Sequence, residues 1–159
     1  MQDEPIFPML NLPPQPVRVR REKGYELYDP LRQKWIVATP EEWVRQNFTS
    51  WLISAKGYVP SLMANEVGIR LNGMLRRCDT IIYNRRLKPV AIVEYKAPEV
   101  EITQQVFDQI ARYNMVLGAK VLIVSNGIRH FCCRFNGVSY SFIKEVPEYP
   151  ALICENQNS

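Results

Sequence analysis

The stretch that decides the fold is PVAIVEYKAP, at residues 89–98. Its apolar half predicts a buried strand, yet the strand runs straight into Glu94 and Lys96. Because side chains two apart in a strand project from the same face, these two charges should stand side by side. An unpaired buried charge is costly, so the two charges at the end of a core strand require partners or a function.

Around this stretch the sequence alternates between helical and strand patterns. We expect a small hairpin over 25–28 and 35–37, a helix between Thr39 and Gly57, strands over 64–71, 74–84 and 90–96, a helix over 102–117, and strands over 121–125, 129–135 and 138–144. The apolar run VLIVS is typical of a central parallel strand. The order predicts an α/β fold with an α-β-β-β-α-β core, a mixed central sheet flanked by helices, and a C-terminal hairpin.

Three segments are expected along the chain. Residues 1–24 contain five prolines and little periodicity, which predicts a proline-rich N-terminal arm lying on the domain or on a partner. Residues 25–146 should form the folded domain. Residues 147–159 should form a C-terminal tail.

The composition narrows the class of protein. The chain has 159 residues, of which 47% are apolar and 23% charged, as in one globular domain with a real core. No apolar run approaches the roughly 20 residues of a membrane helix, and the acidic N-terminus does not resemble a signal peptide. Four cysteines without C-x-x-C spacing and a single histidine argue against zinc and for reduced thiols, so we expect a cytoplasmic protein. The net charge of +4 is compatible with nucleic acid, while the basic clusters are also typical of solvated turns.

Hairpin geometry brings further acidic residues towards Glu94. The turn at 85–89 should place Asp79 opposite the 94–96 segment, and the tight Asn72-Gly73 turn should place Glu66 opposite Asp79. Neighbouring carboxylates repel unless a cation lies between them, and Mg²⁺ prefers such oxygen ligands. A lysine beside a metal-bound water can orient that water, so these groups suit phosphodiester hydrolysis. The plainer alternative is a structural ion pair between Glu94 and Lys96 on the sheet rim.

The motifs resemble a known family of nucleases. Asp79, a spacer of fourteen residues and Glu94-Tyr95-Lys96 look like the PD-(D/E)xK motif, although Cys78 stands where proline often precedes the aspartate. Gln109 and Tyr113 are similar to the Q-x-x-x-Y motif of the RecB-like branch. The set TPEEWVRQ, RRCDTIIYN, VEYKAP, QIARYN and LIVSNG resembles the N-terminal domain of type I restriction enzyme R subunits, over about residues 25–145.

The resemblance implies a restriction-endonuclease-like fold and a DNA endonuclease that depends on Mg²⁺ or Mn²⁺. Its metal ligands would be Asp79, Glu94 and the backbone carbonyl of Tyr95, and Lys96 would act on the attacking water. Glu42 matches an acidic residue that the first helix lends to the metal, whereas its neighbour Glu41 would only complement the helix dipole. DNA and other subunits of a restriction system would be the partners.

Further site residues depend on weaker signals. Glu66 is a candidate ligand through the strand pairing alone. Gln109 and Tyr113 lie four apart on one helix face and would contact the DNA backbone or brace the site, although helix packing explains Tyr113 equally well. Arg76 and Arg77, beside the motif, are candidate DNA contacts.

Two other functions remain open at this level. The same fold could form a non-catalytic module that binds DNA or a partner subunit, as the basic turns and proline-rich arm suggest. A nuclease that acts on RNA or branched DNA is a third reading, because a fold does not fix a substrate. The chain contains no Walker-type phosphate loop, so ATP-driven translocation is not expected of it. His130 is expected to be structural.

Overall fold

The structure, a computed structural model, describes residues 7–157 and the side chains as far as residue 154. In chain order the elements are β1 (Val19–Arg21), β2 (Tyr25–Asp29), β3 (Lys34–Val37), α1 (Pro40–Lys56), a short 3-10 helix (Pro60–Leu62), β4 (Met63–Leu71), β5 (Met74–Tyr83), β6 (Pro89–Tyr95), α2 (Gln104–Leu117), β7 (Val121–Ser125), β8 (His130–Phe135), β9 (Tyr140–Ile143) and α3 (Tyr149–Gln157).

A six-stranded sheet forms the centre of the molecule, with its strands in the order β4-β5-β6-β7-β8-β9. Strands β6 and β7 are parallel, and α2 is the crossover between them, while the other neighbours are antiparallel. This mixed sheet with flanking helices and the β8–β9 hairpin confirms the predicted α/β fold class. The N-terminal hairpin is larger than predicted, because β1 joins β2 and β3 in a separate three-stranded sheet.

Hydrophobic clusters cover both faces of the central sheet. On one face, Phe48 of α1 packs in a cluster with Val93 of β6. On the other face, Ile110 of α2 packs with Ile92. Successive residues of β6 therefore serve opposite layers, which explains why nearly the whole strand is apolar.

Local signals in the sequence set the two main helices. Thr39 caps α1 with its side-chain oxygen, which accepts a hydrogen bond of 3.0 Å from the Glu42 N–H. Gly57 and Gly118 follow α1 and α2 with left-handed backbones, at φ of 74° and 67°. The predicted helix ends at Gly57 and Gly118 are therefore confirmed, whereas α2 begins at Gln104, two residues later than predicted.

The register of β4 and β5 agrees with the turn geometry except at one place. Asn65 pairs with Thr80 and Val67 pairs with Cys78, as the Asn72-Gly73 turn requires. Between these pairs Glu66 has a left-handed backbone, with φ of 58°. Cys78 and Ile81, three residues apart, pack in the same cluster, so the alternation of faces breaks next to Asp79. The candidate site is built on this irregularity.

The N-terminal arm packs along the domain where it is described. The backbone N–H of Asn11 donates to the Gly127 carbonyl at 2.8 Å, and the Trp43 indole donates to the Pro8 carbonyl at 2.9 Å. The ring of His130 bonds to the Asn11 carbonyl through Nε2 and to the Ser125 hydroxyl through Nδ1. Both ring nitrogens are thus engaged in holding the arm, in agreement with a structural role for this histidine.

The C-terminal segment is partly helical. It contains α3, and the Tyr149 phenol of that helix donates to the Tyr83 carbonyl at 2.9 Å. The predicted boundaries of arm and tail stay predictions, and residues 1–6 and 158–159 of these segments lie outside the described part. No helix in the described part is long and apolar enough to cross a membrane.

Candidate metal centre

Asp79 and Glu94 meet where β5 and β6 lie side by side. Asp79 is 9% exposed and Glu94 6%, and Asp79 Oδ2 accepts a 2.8 Å hydrogen bond from the Tyr95 backbone N–H. The Lys96 Nζ lies 3.7 Å from Glu94 Oε1. The structure therefore brings together the three residues of the Asp…Glu-x-Lys motif, as the hairpin geometry predicts.

The carboxyl of Glu94 is poorly satisfied in the free protein. Its Oε2 atom is buried and receives no hydrogen bond from the described residues. Burial and, second, the charge of Asp79 raise the pKa of Glu94 to about 8. Burial also raises the pKa of Asp79, against the opposing hydrogen bond from Tyr95. Without a cation between them, these two carboxyls hold a proton near neutral pH.

Arg45 supplies a buried positive charge behind the pair. This α1 residue is 3% exposed, and its Nη2 lies 2.6 Å from Glu66 Oε1 and 3.7 Å from Asp79 Oδ1. Burial alone would lower its pKa, but the surrounding carboxylates, Glu42 first, raise it above its ordinary value. Arg45 is therefore a permanent cation at the back of the site.

The role of Arg45 was not predicted, although its place in the sequence carries a signal. Arg45 lies three residues before Phe48 and seven before Leu52, so it falls on the apolar stripe of α1. A charge on a buried stripe needs partners from elsewhere in the fold.

The two acids of α1 lie in different surroundings. Glu42 Oε1 accepts from Arg32 at 2.9 Å and its Oε2 accepts from Gln46 at 3.0 Å. Glu41 instead interacts with the Asp79 and Lys96 charges, and its pKa is raised by lost hydration and then by Asp79. The exposed Glu41 therefore interacts electrostatically with the pair, while Glu42, the acid that the family motif indicates, is held by other side chains.

A buried polar network fixes the other side of the site. Asn65 donates to Asp29 Oδ2 at 2.9 Å, and the Thr80 hydroxyl donates to Asn65 Oδ1 at 2.6 Å. Thr80 Oγ1 also lies 3.0 Å from the Tyr95 phenol oxygen. Asp29 further binds Arg32. This network ties the N-terminal sheet to the backbone beside Asp79 and Glu94.

Gln109 and Tyr113, the residues of the Q-x-x-x-Y motif, border a cleft that is separate from the Asp79–Glu94 pair. Gln109 Nε2 donates to the Tyr113 phenol oxygen at 3.0 Å, so the two residues share a helix face as predicted. Together with Arg76 and Arg112, they line a cleft of about 700 Å³ between α2 and the β4–β5 hairpin. Arg77 points instead towards Glu66, with Nη1 3.9 Å from Oε2.

The carboxylates at this site suit a magnesium ion, which needs few protein ligands, better than a metal enclosed by three or more side chains. Within residues 7–157, no group of three or more His, Cys, Asp or Glu side chains is arranged to hold a metal. Mg²⁺ commonly keeps several waters and binds through one or two carboxylates. The buried Glu94 Oε2, which has no hydrogen-bond partner among the described residues, lies beside Asp79 and would suit such an ion; Asp79, Glu94, the Tyr95 carbonyl and Glu66 as ligands stay predictions.

Comparison with known proteins gives the family. The model for the type I restriction enzyme R protein N terminus (HSDR_N) matches residues 40–147. The chain therefore belongs to this family, in agreement with the resemblance seen in the motifs. The match begins at α1 and ends before α3, so it covers the central sheet and the candidate metal centre.

A solved structure supports the fold. A fragment described as an HsdR subunit of a type I restriction enzyme from Vibrio vulnificus YJ016 superimposes with a TM-score of 0.55 and 20% identity. The match covers 74% of this chain and 26% of that chain, so this chain spans about a quarter of that structure's length. No curated protein matches the chain.

Proposed function

We propose that this chain is a magnesium-dependent nuclease domain of a restriction system, which hydrolyses phosphodiester bonds of DNA. The observation that carries the proposal is the buried pair Asp79 and Glu94 with the free Oε2 atom and with Lys96 alongside. Membership of the R-subunit family supports a nuclease-related role. DNA and other subunits of the system would be its partners.

The residues present would divide the work as follows. Asp79 and Glu94 would hold the Mg²⁺, which when bound neutralises a phosphate and stabilises the leaving oxygen. The Lys96 ammonium would orient the attacking water. The Tyr95 N–H fixes Asp79 through its 2.8 Å hydrogen bond, so the carboxylate does not turn away when the cation is lost.

The DNA would run past the second motif. Arg76 and Arg112 in the 700 Å³ cleft supply two cations, and Gln109 and Tyr113 supply polar groups for the phosphate backbone. The hydrogen bond between Gln109 and Tyr113 fixes the amide and the phenol relative to each other, which suits a contact that positions a strand.

A nicking assay on supercoiled plasmid DNA, titrated with Mg²⁺ or Mn²⁺, tests the proposal. We expect Lys96→Ala and Asp79→Asn to lower the cleavage rate by about 100-fold or more, the usual loss when a catalytic group is removed. Lys34→Ala, which removes an exposed lysine of β3, is the matched control. Cleavage that survives both site substitutions would reject the assignment.

The α1 acids offer a sharper comparison within the same assay. Glu41→Gln should raise the Mn²⁺ concentration needed for half-maximal cleavage, because the Glu41 charge interacts with those of Asp79 and Lys96. Glu42→Gln should act mainly on stability, because Glu42 is bound by Arg32 and Gln46. If Glu42→Gln instead raises the Mn²⁺ concentration needed for half-maximal cleavage, the family motif describes the site better than the free structure does.

A second candidate is a DNA- or subunit-binding module that does not cut. It is favoured by Arg45, whose permanent charge lies 3.7 Å from Asp79 Oδ1 and could take the place of a metal. Measurement of Mn²⁺ binding by calorimetry distinguishes the two functions. Binding that Glu94→Gln abolishes supports the nuclease, whereas salt-sensitive DNA binding without metal binding supports the module.

A further inference from the structure

A basic cavity lies at the end of β6 opposite the candidate metal centre. It has a volume of about 590 Å³, and its walls include Arg85, Arg86 and Lys88 of the β5–β6 turn and Lys120, which directly precedes β7. Pro89, at the first position of β6, also lines it. Glu94 lies five residue steps along the strand from Pro89, or about 16 Å, so the two sites are distinct.

Within the described residues, no acidic side chain neutralises the positive charge of the cavity. None of its lining residues in the described chain is acidic. Among the ion pairs of the described residues, none involves Arg85, Arg86, Lys88 or Lys120. The C-terminal end of α2 contributes about half a negative charge nearby, which leaves most of the four positive charges uncompensated. A cavity with this charge attracts anions.

The backbone that carries these cations is fixed. Asn84 Oδ1 accepts hydrogen bonds from the N–H groups of Arg86 and Lys88, at 2.9 and 3.1 Å. The Lys120 carbonyl accepts from the Phe135 N–H at 2.7 Å. The turn and the start of β7 are therefore held in place, so binding costs mainly the ordering of the four side chains.

The remaining wall of the cavity is apolar. Leu117 of α2 and Tyr149 and Ile153 of α3 line it. The Tyr149 ring is anchored by its phenol on the Tyr83 carbonyl, and the Arg85 charge acts on that phenol. A ligand that suits this cavity has several negative charges at one end and a flat, weakly polar body at the other.

We propose that the basic cavity binds nucleotides, with the phosphates on its four cations and the sugar and base against its apolar wall. Consecutive phosphates concentrate the required charge within a cavity of this size, and the arginine fork matches phosphate oxygens. An acidic peptide would need several separate side chains and would press its polar backbone against Leu117 and Tyr149. Free nucleotides and strand-borne nucleotides share this chemistry, and this inference goes beyond the proposed cleavage at Glu94.

The test measures binding without cleavage. A fluorescein-labelled oligothymidylate of about six nucleotides is titrated in EDTA at several salt concentrations. Arg85→Gln/Lys120→Gln removes one cation from each side of the cavity and leaves the hydrogen-bonded backbone unchanged. Lys34→Gln/Lys144→Gln, two exposed lysines elsewhere, is the control with the same change in charge.

Each lost contact to a single-stranded phosphate lowers the steepness of log affinity against log salt by about 0.7. The cavity variant removes two cations, so we expect its slope to be less steep by about 1.4. The control variant should keep the wild-type slope, and Arg85→Lys/Lys120→Arg should restore it. Any contacts that the oligonucleotide makes with other parts of the chain are the same in all variants. Such contacts do not affect the result, because only the change in slope caused by each variant is compared. Thermal unfolding of every variant checks that the fold is intact.

Competition identifies the source of the phosphate. Displacement of the oligonucleotide by ATP supports a site for free nucleotides, and failure of ATP to displace it supports strand-borne phosphates. Equal slopes in the cavity and control variants overturn the proposal, as does the absence of binding to the wild-type chain. Displacement by polyglutamate as effective as that by unlabelled oligonucleotide also overturns it, in favour of an acidic protein partner.

Discussion

The Asp79–Glu94 pair makes a quantitative prediction about the pH dependence of stability. The pKa of Glu94 in the metal-free folded chain is about 8, against an ordinary value of 4.5. The folded state therefore holds a proton that the unfolded chain has released over this pH range. The contribution of the group to stability is fully present below its unfolded pKa and is lost as the pH rises through its folded pKa.

The size of the effect follows from these two values. For a group with a pKa of 4.5 unfolded and about 8 folded, the free energy of unfolding falls by about 3 kcal/mol between roughly pH 5 and pH 7.5. Burial of Glu94 and the charge of Asp79 are the causes. Glu94→Gln cannot lose a proton, so the variant should gain about 3 kcal/mol relative to the wild type over the same range.

Urea unfolding monitored by tryptophan fluorescence measures this difference. Both proteins are unfolded in EDTA at closely spaced pH values, and the free energies are extrapolated to water. Glu101→Gln, an exposed acid in the loop after β6, is the control and should follow the wild type. Parallel curves for the wild type and Glu94→Gln would refute the reasoning, because Glu94 would then not carry the proton.

Magnesium gives the second arm of the same experiment. A cation bound between Asp79 and Glu94 replaces the shared proton, so it should restore stability to the wild type above neutral pH. It should do little for Glu94→Gln, which lacks the charge that attracts it. Equal stabilisation of both proteins by Mg²⁺ would mean that the ion binds elsewhere.

Two further predictions concern the irregular part of the site. Arg45→Met should destabilise the chain by about 3 kcal/mol or more, because it leaves buried carboxylates without their cation, and Mg²⁺ should recover part of the loss. Thermal unfolding with and without Mg²⁺ measures this, and an effect equal to that of Arg45→Lys would contradict it. Glu66→Gly should be more stable than Glu66→Ala by about 1 kcal/mol, since both remove the carboxylate but only glycine accepts the left-handed backbone readily. Equal denaturation midpoints of the two Glu66 variants would show that the backbone at this position relaxes.

The centre of the site could be predicted because it depends on local rules. Two turns fix the register of three consecutive strands, and strand alternation then places Glu94 beside Lys96. The pairs Asn65–Thr80 and Val67–Cys78 confirm the register that the Asn72-Gly73 turn predicts. A turn length wrong by one residue would have shifted the register and placed every side chain of that strand on the opposite face of the sheet.

The surroundings of the site could not be predicted from local rules. Whether α1 presents Glu41 or Glu42 depends on its rotation about its own axis, and adjacent helical residues point about 100° apart. That rotation is set by packing of residues such as Phe48 against the sheet. The left-handed backbone of Glu66 is likewise invisible in sequence, because glutamate rarely adopts it.

The ends of the chain show another limit of sequence patterns. Strand β1 is only three residues long and follows a proline-rich segment, so its pattern is too short to show alternation. Helix α3 lies in the segment read as a tail, because Pro150 and the polar residues after Cys154 hide the helical period. Strand β1 forms by pairing with the neighbouring β2, and α3 is held against the sheet by contacts such as the bond from Tyr149 to Tyr83.

A proton and a metal ion would compete for the Asp79 and Glu94 carboxyls, and this competition would make metal binding depend on pH. A proton held by Asp79 and Glu94 reduces the repulsion between them near neutral pH, and Arg45 stabilises Asp79 permanently from behind. A metal ion must displace the proton but need not displace Arg45, which lies on the side of Glu66. Metal binding should therefore release a proton and strengthen as the pH approaches about 8, the pKa of Glu94. In this arrangement the arginine would stabilise the metal-free site, and protonation of the glutamate would weaken metal binding below that pH.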